Sequence, residues 1–181
     1  MLSNCASYLW RLRLAGLVEA GDDPSGGVIG ERCRKLAAAP GSVFGGWHLA
    51  IGLGCDGDLT TLRRLAAGEL DAGAPGVAEV VPAVAGAVAD LLEGEPARAA
   101  DALTAIRPDA YRLGGSRAQR EVLEDTLLAA LVQAGRTAEA AQVLTERLDR
   151  RPLAEDSRRL AVLTVPMQRQ TRLTQTSSGL P

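Results

Sequence analysis

Between Leu131 and Pro152 the chain runs Gly135-x4-Ala140-x3-Leu144-x3-Leu148-x3-Pro152, small and large apolar residues spaced four apart along one helical face. A shorter copy, Gly94-x4-Ala99-x3-Leu103, precedes it. Turn residues cut the rest into further helical stretches. The pattern predicts helices over Asn4–Glu19, Val28–Ala39, Trp47–Gly54, Leu59–Ala72, Gly76–Glu93, Ala97–Ile106, Ser116–Ala134, Thr137–Arg150 and Asp156–Leu163. Val77, Val81, Val84, Val88 and Leu91 form a helical stripe, Asp58 is placed to cap Leu59, and Pro96 suits a first helical turn. Trp47, Ile51 and Cys55 read as one inward stripe.

Glycines between helices fall at intervals of 36, 37 and 41 residues (Gly21 to Gly57, to Gly94, to Gly135). This lies near the roughly 34-residue tetratricopeptide unit and its longer helical relatives. The fold expected is all-α: a tetratricopeptide-like, right-handed α-solenoid of antiparallel helix pairs, about four units, each too small to bury its apolar face without its neighbours. Residues 1–163 make the helical-repeat domain and 164–181 a flexible tail.

Composition agrees. Hydrophobic residues make up 46% of the 181 but aromatic ones only 3%, a balance that suits closely packed helices better than a β-sandwich. The net charge of -2 is interspersed and creates no field for nucleic acid or an anionic membrane. Arginines collect near the C-terminus (Arg147, Arg150, Arg151, Arg158, Arg159, Arg169, Arg172), without aromatic residues among them for base stacking. The first three read as cations complementing a helix C-terminus, and Arg158 and Arg159 as solvent-facing. Cys5, Cys33 and Cys55 are scattered and odd in number, so neither a disulfide framework nor a zinc site is expected. His48, the single histidine, excludes a multi-histidine metal centre, and no cofactor is implied. No signal-peptide or membrane-span pattern is recognised, which makes the cytoplasm the expected compartment.

Three segments carry a family resemblance. Leu113-Gly114-Gly115-Ser116-Arg117-Ala118-Gln119-Arg120-Glu121, with Leu127, Ala129, Gly135-Arg136 and Glu146-Arg147-Leu148 after it, is similar to a stretch of the tetratricopeptide repeat protein 38 family and the helix that follows it. Tyr8-Leu9-Trp10-Arg11-Leu12 and Phe44-Gly45-Gly46-Trp47-His48-Leu49-Ala50 resemble two further blocks of that family. The match covers about Asn4 to Pro152, the C-terminal half of the family's length. Arg117 stands where the family tends to have histidine, and Gly45-Gly46 replace asparagine-aspartate. The resemblance implies a repeat scaffold and no particular reaction.

Candidate chemistry gathers at two places. Ser116, Arg117, Gln119 and Arg120 follow two glycines at a helix start, which suits an anion; Ser116 with Gln119 three residues on equally reads as a capping box. Trp47 and His48 adjoin, and His48 titrates near neutrality, but no orienting partner or nucleophile is identifiable. Gly26-Gly27-Val28-Ile29-Gly30 lacks the Gly-Lys-Ser/Thr ending of a phosphate loop and follows no expected strand, and reads as a hinge or loop.

The function expected is a non-catalytic scaffold whose concave face binds a protein or peptide. The alternatives are an enzyme or its remnant, with Trp47, His48, Ser116, Arg117, Gln119 and Arg120 in one groove, and a truncated product of a longer repeat protein. In the last, Tyr8, Leu9, Trp10 and Leu14 would expose a surface or a homodimer contact on the first helix.

Overall fold

The computed structural model describes residues 2–19, 27–37, 41–69 and 77–164; side chains are described from residue 80 onward in the helix that begins at 77. Every regular element among them is helical: α1 Leu2–Leu14, α2 Val28–Ala37, α3 Val43–Asp56, α4 Leu59–Ala66, α5 Val77–Leu92, α6 Pro96–Ile106, a 3-10 turn Arg107–Leu113, α7 Arg117–Gln133, α8 Thr137–Arg150 and α9 Ala154–Thr164. Helix packing divides the chain into two units, Met1–Gly135 and Arg136–Pro181. The expected glycine at 21, Arg169 and Arg172, and the tail beyond Thr164 lie outside the described residues.

Three helix-to-helix corners repeat one conformation. Gly57, Gly94 and Gly135 have φ of 75°, 77° and 73°, a left-handed region that costs glycine nothing. The next residues, Asp58, Glu95 and Arg136, take φ of -76°, -107° and -83° before a new helix starts. At the first two corners the amides of Asp58 and Glu95 reach back to the carbonyls of Leu53 and Asp90, closing the left-handed cap that ends a helix. Asp58 caps α4 as its position predicts, accepting from the Thr61 amide at 2.9 Å. Two helices stop earlier than their apolar pattern runs. α1 ends at Leu14 and α4 at Ala66 because Gly16 and Gly68 turn left-handed, and the amides of Leu17 and Glu69 close the same cap.

Within the first unit α3 is the hub. Gly46 through Cys55 are buried without interruption, so the helix has no solvent face. It starts at Val43, four residues before its apolar stripe, because the Ser42 hydroxyl accepts from the Gly45 amide at 3.0 Å. α1, α2, α4, α5 and the 3-10 turn all lean on it. Close approach is what its glycines allow. A Cβ on Gly52 would lie 2.3 Å from the Cys33 sulfur; one on Gly54 would lie 2.5 Å from Val88 Cγ1 and 2.9 Å from the Trp10 ring.

α1 packs on both α3 and α7, while α3 meets α5, α5 meets α6 and α6 meets α7. The circuit closes, whereas repeats that touch only their neighbours leave the first and last helices apart. Trp10 and Leu9 are accordingly inside the unit, and of the aromatic pair on α1 only Tyr8 is exposed.

In the second unit α8 packs against α9. Arg147 is buried and pairs at 3.0 Å with the buried carboxylate of Asp156. It sits in the last turn of α8, as its position predicts, and there also ties α8 to α9. Arg158 and Arg159 are exposed and both pair with Glu155.

Two glycine substitutions should act in opposite directions. Gly54→Ala places a methyl inside contact distance of Val88 and Trp10 and should cost about 1–3 kcal/mol of stability by overpacking. Gly86→Ala, whose nearest neighbour would be Ala66 Cβ at 3.7 Å, should gain up to about 1 kcal/mol from helix propensity. Urea unfolding of the two variants beside the parent measures both.

Candidate functional site

The two candidate clusters meet through Phe44. In α3 the rings of Phe44, Trp47 and His48 pack together: Trp47 and His48 centroids lie 3.5 Å apart, and Phe44 and His48 4.3 Å. On its other side Phe44 covers Gly115, where a Cβ would sit 2.5 Å from Phe44 Cε2. The Trp47 indole donates to the carbonyl of Leu113 at 3.1 Å. The start of α3 is thus docked onto the segment that leads into α7.

Each candidate side chain then shows what occupies it. Ser116 accepts from the Gln119 amide at 3.3 Å, and the Gln119 side-chain oxygen accepts from the Ser116 amide at 2.8 Å, a complete capping box. Arg120 donates to the carbonyls of Gly114 (3.2 Å) and Gly115, tying the two-glycine bend to the first turn of α7. Arg117 is exposed on the outer side of that turn. Trp47 is wholly buried and His48 is 3% exposed.

His48 is the unusual group. Its Nδ1 lies 2.7 Å from the Phe44 carbonyl one turn back, which assigns that nitrogen the proton, since a carbonyl can only accept. Nε2 is left as a buried lone pair with no hydrogen-bond partner among the described residues. Burial pushes the imidazole below its ordinary 6.5, with the Phe44 bond opposing in part. The resulting neutral ring fits a stacked core position beside an indole.

None of the three cysteines is in a disulfide. Cys33 is pushed up to about 12, chiefly by burial and also by the nearby Asp56 carboxylate. Cys55 is buried near the Ala6 carbonyl, and Cys5 is exposed. Among the described residues no cluster of histidine, cysteine and carboxylate groups is arranged to hold a metal ion. No described helix is long and apolar enough to cross a membrane.

Sequence reasoning passed over two groups that the structure makes prominent. Trp10 donates its indole N–H to Thr126 Oγ1 at 2.9 Å, and Arg11 pairs with Asp125 at 2.7 Å, both between α1 and α7. A buried tryptophan needs an acceptor, so the indole itself signals a polar partner. Its identity, 116 residues away, has no local trace.

These features define the class: an all-helical protein with repeated glycine corners, whose candidate polar groups hold helices in place. Compared with protein-family models, curated proteins and solved structures, the chain finds no match.

Two measurements probe these roles. Ser116→Ala should cost ~1 kcal/mol in chemical unfolding, the usual effect of losing a cap. His48 should make folding acid-sensitive. Its folded-state affinity for the proton is the lower one, so stability is flat above pH 6.5 and falls as the pH drops below it, because the unfolded chain then takes up the proton first. The slope contributed is at most ~1.4 kcal/mol per pH unit. In urea titrations at pH 7.5, 6 and 5, His48→Asn should show a shallower decline; identical slopes would remove the role assigned to His48.

Proposed function

We propose that the chain is a tetratricopeptide-type helical-repeat scaffold that binds a protein or peptide partner and is not itself catalytic. The observation that supports this reading is the repetition of one glycine corner at Gly57, Gly94 and Gly135, the kind of turn that joins the helices of such repeats. The resemblance of three segments to the tetratricopeptide repeat protein 38 family points the same way. Helix faces in such a scaffold act as a recognition surface. The groups otherwise suited to chemistry are engaged structurally: Ser116 and Gln119 in a cap, Arg120 on two carbonyls, Trp47 on Leu113, His48 in a ring stack. Exposed Tyr8, Tyr111 and Val132 in the first unit add apolar surface for a partner. Three cysteines outside any disulfide suit a reducing compartment such as the cytoplasm.

Cross-linking mass spectrometry of the full chain in its native lysate is the test. One recurrent partner should be joined at positions grouped around the exposed Tyr8, Tyr111 and Val132. Cross-links spread evenly over all helices, or a hydrolytic activity abolished by His48→Asn, would overturn the reading.

A further inference from the structure

We draw no further inference here: the strongest candidate, the exposed apolar stripe of Val28 and Leu36 along α2 with the exposed Arg32 between them, is an unpartnered helix face, and nothing in the structure shows what covers it.

Discussion

The first unit depends on one constraint: α3 has no side facing water. Ten consecutive buried residues, Gly46 to Cys55, oblige other elements to surround the helix, and its glycines set how near they come. At Gly52 the notch is filled by the Cys33 sulfur of α2; at Gly54 it is filled jointly by Trp10 of α1 and Val88 of α5. Glycine in a helix costs up to about 1 kcal/mol relative to alanine. Here that cost is offset by dispersion contacts that a methyl group would block, since interiors pack at near-crystalline density. The same contacts explain why helices as short as α2 and α4 are held: each has a buried stripe, Ile29 and Cys33 in one, Leu62 and Leu65 in the other, that joins the core around α3.

With so few aromatic residues, the two tryptophans act as long-range ties. Trp10 reaches Thr126 and Trp47 reaches the Leu113 carbonyl, so α1 and α3 are both fastened to the segment that contains the 3-10 turn and α7. Each combines a large buried apolar surface with one directional bond, which specifies a register as well as contributing burial. Charged pairs follow the same economy of placement. Asp90 in α5 is buried and faces Arg63 at 2.6 Å and Arg98 at 3.4 Å, bridging α4 and α6 across the helix between them. In α2, Gly30 leaves room for the Asp56 carboxylate, which pairs with Arg34. Asp90 is the buried member of these pairs, and removing Arg63 would leave its charge with only the longer contact to Arg98.

Helix identity was widely legible. α8 matches its ladder at both ends, and α5 and α6 begin and stop within one residue of the periodic pattern. The Ser116 cap was legible too, because a capping box is a local pairing of two residues three apart. Helix ends were read too late where glycine sat inside a continuing apolar pattern, as at Gly16 and Gly68; hydrophobic periodicity does not report φ. The start of α3 was read too late for the opposite reason, since Gly45 and Gly46 look like helix breakers until their close packing is known. The 3-10 turn at Arg107–Leu113 has too short a period to stand out among polar residues, and it joins the core through its buried Leu113, with Ala110 packed alongside.

By itself, the sequence determined the helical class, the caps and the glycine corners. Each is a matter of neighbours within about five residues, where backbone geometry and side-chain pairing are local. Tertiary structure alone decided that α1 closes on α7, that His48 is a neutral ring sealed between Phe44 and Trp47, and that Arg147 lies inside a helix pair with Asp156. Those outcomes turn on desolvation and on contacts far apart in the chain. The same residue types are compatible with a solvated charge, a catalytic base or a structural tie until their surroundings are known.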